Sequence, residues 1–173
     1  IYNIKVKDIS FGLFKRNNLA NATKAITIWN INGYSGTGDK AGVHKLTMDG
    51  VSNVFCGDIN KKLPYGSSWN TVSYDNLASV ISSNVDNPGQ LYWLLDHMCI
   101  ESTGDATVNN GIKSQILKKY GYTDNADVNE MYVINQNLIW LAVNSSKDST
   151  TSETIDQDTR LKHIFDAYYT EMT

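Results

Sequence analysis

At 173 residues, with 41% hydrophobic and 19% charged residues, the chain is long enough for one compact, packed domain and short for two, and it is not a disordered polar chain. Net charge is −3 and the adjacent basic pairs, Lys15–Arg16, Lys61–Lys62 and Lys118–Lys119, stand far apart, which argues against nucleic acid as a partner. No apolar run reaches the roughly 20 residues of a membrane span; the longest, Val133 to Val143, is broken by three amides, so no direct membrane insertion is expected.

Residues 2–9 (YNIKVKDI) and 24–32 (KAITIWNIN) alternate apolar and polar and predict strands. The stretch GYSGTGDKAG, Gly33 to Gly42, has its third glycine misplaced for a dinucleotide loop and reads as a connection. Strands are expected again over 43–48 and 51–57, with Asp49–Gly50 as a two-residue hairpin turn. From residue 74 the period changes. A short helix is expected over 75–82, then one over 88–101 with Asn87 as cap and Pro88 at its first position. Further helices are predicted over 108–119, over 127–144 capped by Asp127, and over 155–170 beyond a polar link, Asn144 to Ser152. The expected fold class is α+β: a β-rich N-terminal part (about 1–73), a sandwich or barrel-like sheet, and a helical C-terminal part (about 74–173) in a single domain. The chain begins without a charged, apolar leader and ends without a wall-anchoring tail, which reads as a domain excised from a longer protein.

Two side chains in this pattern ask for an explanation. The helical neighbours of Gln136 are Tyr132, Val133, Ile139 and Trp140, all apolar or aromatic. A carboxamide there loses its water at a cost of about 1–3 kcal/mol unless a partner replaces it. Cys56 ends the apolar strand VSNVFCG, where Gly57 permits a bend. Such a thiol can be core filler, a metal ligand, half of a disulfide with Cys99, or a nucleophile. The three histidines, His44, His97 and His163, have no close metal-ligand spacing with the cysteines, so no metal or other cofactor is expected. A cysteine hydrolase or transferase would need one of them as base, and the chain carries no nucleophile-elbow or Cys-His signature. A non-covalent binding module, presenting exposed Tyr and Trp, is a further reading of the same composition.

The stretch Phe55 to Asp58, FCGD, resembles the aromatic-Cys-x-Asp/Asn motif of thioester domains in Gram-positive surface adhesins. Asn135 to Trp140, NQNLIW, resembles that family's Gln-x-x-Ile-Trp motif, and the two follow in the same order with 80 residues between Cys56 and Gln136. Gly57 replaces a larger apolar residue common in the family, and Leu138 a frequent Ala; neither change removes a reacting atom. The resemblance implies an internal thioester between Cys56 and Gln136, supported by Phe55, Asp58, Tyr132, Ile139 and Trp140. It implies capture of an amine, a lysine of a host cell-surface or extracellular-matrix protein, as an isopeptide. The module would be consumed in one turnover and so would be no enzyme. It would act outside the cell, anchored to the bacterial wall through neighbouring domains of the same adhesin. His44 and Asp58 are acid/base candidates by position alone.

Overall fold

The computed structural model describes main chain and side chains over residues 55–57, 59–60, 81–99, 111–127, 129–149 and 151–173. It describes the main chain alone over 2–6, 9–13, 16–27, 44–48, 51–54, 68–69, 77–80, 128 and 150. Asp58 and the glycine-rich stretch 33–42 lie outside the described residues.

The centre of the molecule is α4 (Val128–Asn144). Every residue from Met131 to Trp140 is buried, so the helix is enclosed on all sides rather than amphipathic. Its start is fixed by a reciprocal cap. The Asp127 carboxylate accepts from the Glu130 N–H at 2.8 Å, and the Glu130 carboxylate accepts from the Asp127 N–H at 3.0 Å. Ser145, in the left-handed region at φ 51°, ends it.

Around α4 pack α2 (Pro88–His97) and α6 (Thr159–Met172), with α3 (Gly111–Lys118) and α5 (Ser149–Gln157) docked on α6 and α1 (Leu77–Asn84) leading into α2. The stripe Leu91, Leu94, Leu95 and Met98 is buried, as its spacing predicts. Asn87 stands at the first turn of α2, with Pro88 after it, but its side chain does not cap that helix. It donates instead to the Leu141 carbonyl at 3.4 Å and the Ser145 hydroxyl at 3.2 Å, closing the end of α4. The supposed link from Asn144 to Ser152 is shorter than expected. Asp148 caps α5 by accepting from the Thr151 N–H at 2.8 Å, and Thr151, Ser152, Thr154 and Ile155 are buried.

Toward the N-terminus the main chain forms strands β1 (Tyr2–Val6), β2 (Ile9–Leu13), β3 (Arg16–Thr27), β4 (His44–Met48), β5 (Val51–Cys56) and β6 (Ser68–Trp69). They pair in a single row, β1-β2-β5-β4-β3-β6, with β2–β5 parallel and the other pairs antiparallel. The expectation of a β-rich N-terminal part built as a sandwich or barrel-like sheet is overturned. Over the residues whose side chains are described, the chain is 71% helical, and the end of β5 is the one short strand among them. A single row of strands supplies no second layer for a sandwich, and no β1–β6 pairing among the described residues closes a barrel. The described hydrophobic core belongs almost wholly to the helices, with Phe55 and Cys56 of β5 inserted into it. No helix among the described residues is long and apolar enough to cross a membrane.

The cap on α4 is expected to carry measurable stability. Asp127→Ala orphans the Glu130 N–H and is expected to lower unfolding free energy by about 1–2 kcal/mol. In urea this reads as a lower midpoint at unchanged slope; an unchanged midpoint would refute the assignment.

Candidate functional site

β5 runs into the helical core and stops at Cys56, where the strand meets the middle of α4. Gln136 faces it. The Cys56 N–H donates to Gln136 Oε1 at 2.8 Å, and Gln136 Nε2 donates to the Cys56 carbonyl at 2.8 Å. The glutamine amide thereby does what a neighbouring strand does for a ladder residue, satisfying both main-chain groups at once. Cys56 is 4% exposed and Gln136 1%, so both hydrogen bonds are dry. The partner that the sequence demanded for Gln136 is the main chain of Cys56 itself.

Four of the five residues expected to support the site, Phe55, Tyr132, Ile139 and Trp140, are described, and all four are buried. Phe55 is fully buried and stacks on Tyr132 with ring centroids 4.5 Å apart and planes 14° from parallel. Ile139 and Trp140 are buried on the same helix as Gln136. The Trp140 indole N–H and the Asn135 Oδ1 have no hydrogen-bond partner among the described residues. Just beyond Cys56, the Ile59 N–H donates to Asn144 Oδ1 at 3.0 Å, a second tie between the strand exit and the end of α4 that the sequence did not suggest.

His44 is described through its main chain only, in β4. The antiparallel register pairs Leu46 with Val54. Continuing it two residues along each strand sets His44 at the register position across from Cys56. His97 and His163, the other histidines considered as bases, are engaged elsewhere. His97 Nδ1 lies 2.6 Å from the Trp93 carbonyl and its ring stacks on Trp93. His163 Nδ1 lies 2.9 Å from Asp124 Oδ2 and its ring stacks on Tyr122.

The two cysteines are not joined by a disulfide. Cys99 is buried beside α6, where its sulfur accepts from the Tyr168 hydroxyl at 2.8 Å. Burial pushes the Tyr168 hydroxyl far above the usual phenol range, with the nearby Cys99 adding to the shift, so it stays a donor to that sulfur.

Chemically, the site is a thiol whose own main chain clamps a carboxamide. The Cys56 N–H points at the amide oxygen, where negative charge would develop if a nucleophile added to the amide carbon. Comparison with protein-family models, with curated proteins and with solved structures finds no match to this chain.

The clamp has a structural consequence that can be separated from any chemistry. In a Cys56→Ala background, Gln136→Leu removes both hydrogen bonds that the amide makes to the main chain of residue 56 and is expected to cost at least about 2 kcal/mol. A loss below about 0.5 kcal/mol in chemical denaturation would show that the amide does not hold the strand.

Proposed function

We propose that the chain is a covalent capture module in which Cys56 and Gln136 condense into an internal thioester that an external amine then opens. The observation that carries this reading is the paired 2.8 Å hydrogen bonding between the Gln136 amide and the Cys56 main chain, 80 residues apart in sequence. It fixes the carboxamide against the residue that bears the sulfur. The motif resemblance around both residues supports the same assignment.

In the proposed reaction the Cys56 sulfur adds to Gln136 Cδ, the Cδ–Nε2 bond breaks, and the thiol proton leaves with the nitrogen as ammonia. A thiol does not displace ammonia from an amide readily in water. Proximity of this kind, with the amide already fixed on the residue that bears the sulfur, can supply on the order of 7–11 kcal/mol of the barrier. The Cys56 N–H stabilises the oxyanion on Oε1, and removal of one such donor typically costs about 3 kcal/mol. The Phe55–Tyr132 stack and Trp140 keep water from the product. His44, at the register position opposite Cys56, takes the thiol proton and returns it to the departing nitrogen.

The finished thioester is an electrophile. A lysine amine of a host cell-surface or extracellular-matrix protein displaces the Cys56 sulfur and forms an isopeptide with the former Gln136 carbonyl. A bond of this kind does not dissociate under shear, which suits an adhesin held to the bacterial wall through neighbouring domains. Each molecule reacts once, so the module is no enzyme, and the chemistry needs no cofactor.

Intact mass decides the matter. Thioester formation is expected to make the folded chain one ammonia lighter, beyond any deficit that Cys56→Ala retains, and the chain is expected to gain one methylamine when that amine is added. Cys56→Ala abolishes the methylamine adduct and Cys99→Ala leaves it intact. A wild-type protein that takes up no methylamine would end the proposal. His44→Ala is expected to slow appearance of the methylamine-reactive form after refolding by roughly 10²-fold or more. An unchanged rate would remove His44 from the mechanism while leaving the thioester untouched.

A further inference from the structure

Lys113, on α3, is 1% exposed, which is rare for lysine. Its ammonium-bearing chain turns inward, and Nζ donates to Oδ1 of Asn125 in the segment leading to α4. The surroundings of that carboxamide are built. Oδ1 also accepts from the Ala126 N–H at 3.0 Å, and the Asn125 main-chain carbonyl accepts from Arg160 Nη1 at 2.6 Å. Arg160 in turn grips Glu130 of the α4 capping box through both guanidinium nitrogens, at 3.0 and 2.5 Å, so the segment cannot drift. Asp124, next along the chain, is held by His163 at 2.9 Å.

From this geometry we infer that Lys113 and Asn125 form an intramolecular isopeptide bond. Nζ of the neutral amine adds to Asn125 Cγ, the Cγ–Nδ2 bond breaks, and one Nζ proton leaves with Nδ2 as ammonia. Lysine amine plus asparagine carboxamide gives a secondary amide plus ammonia, and no oxidant or other reactant is required. The Ala126 N–H stands at the oxygen on which charge develops. The amine is prepared for attack because burial lowers the Lys113 pKa; the charge on Arg160 acts in the same direction, while Cys99 and Asp124 oppose it. Burial also protects the finished bond from water.

The bond spans 12 positions in sequence and joins α3 to the start of α4, the helix that carries Gln136. It does not depend on the Cys56–Gln136 reaction, and the two can be told apart by mass.

The test uses the full chain carrying Cys56→Ala, which cannot form the thioester. That variant is expected to remain one ammonia lighter than its sequence and to ignore methylamine. Proteolysis of both this variant and the wild-type chain yields a branched peptide joining Lys113 to Asn125. Adding Lys113→Met removes the deficit and the branched peptide. If the Cys56→Ala protein has its full sequence mass, and Lys113 and Asn125 fall in separate linear peptides in both proteins, the bond does not exist. A wild-type chain that keeps the branched peptide but takes up no methylamine would establish this bond while ending the thioester proposal.

Discussion

The structure turns on the cost of placing amides inside a helix that is buried on every side. Three consecutive residues of α4, Asn135, Gln136 and Asn137, are fully enclosed. At 3.6 residues per turn their side chains leave the helix about 100° apart, so each meets a different neighbour. Asn135 donates to the Cys99 carbonyl at 3.4 Å, just beyond α2. Gln136 takes both main-chain groups of Cys56. Asn137 accepts from the Asp148 N–H at 2.9 Å and donates to the Thr151 hydroxyl at 3.0 Å, fixing the start of α5. A satisfied hydrogen bond adds about 1 kcal/mol net, whereas an orphaned buried group costs about 1–3 kcal/mol. The three amides therefore choose one arrangement of segments around α4 more than they deepen its stability.

That accounting explains how much could be read from sequence. The ten-residue enclosed run of α4 and its Asp127 cap are local properties, visible as periodicity and as a capping residue three positions before Glu130. The need of Gln136 for a partner was also visible, since its neighbours at three and four residues are apolar. The partner itself was not, because it is a main chain 80 positions away, and nothing local specifies a contact at that distance. Asn87 shows the same limit in reverse. Its residue type and place before Pro88 suit an N-cap, yet the Leu141 carbonyl and Ser145 hydroxyl at the adjacent end of α4 win the side chain. α5 escaped because Ser149 to Thr154 is nearly all hydroxyl and acidic residues, a composition that reads as a link. Burial of Thr151, Ser152 and Thr154 against the core overrides that propensity.

The misjudged N-terminal part has a related cause. Alternation of apolar and polar residues predicts an extended main chain, and strands are what the backbone forms there. Alternation does not say what the apolar face packs against, and a sandwich or barrel is a statement about packing. The described core is supplied by helices, and β5 enters it as a guest through Phe55 and Cys56. The stretches around Cys56 and Gln136 do meet, through the Gln136 amide and the Cys56 main chain, while the layer architecture drawn around them does not form.

The same pairing bears on the chemistry in one further way. Aminolysis of a thioester is the reverse of its formation from an amide, with a substituted amine in place of ammonia. In the proposed reaction each group that assists the first step must assist the second: the Cys56 N–H on the oxyanion and the Cys56 carbonyl that accepts from the nitrogen at the reacting carbon. In the proposed reaction, departure of ammonia would remove the Gln136 donor from that carbonyl. An arriving amine donates to it as it attacks. Return of ammonia is suppressed only because it has diluted into solvent, and entry of water is opposed by the aromatic shell. A site that releases one nitrogen in the proposed way would, by that construction, be prepared to accept another.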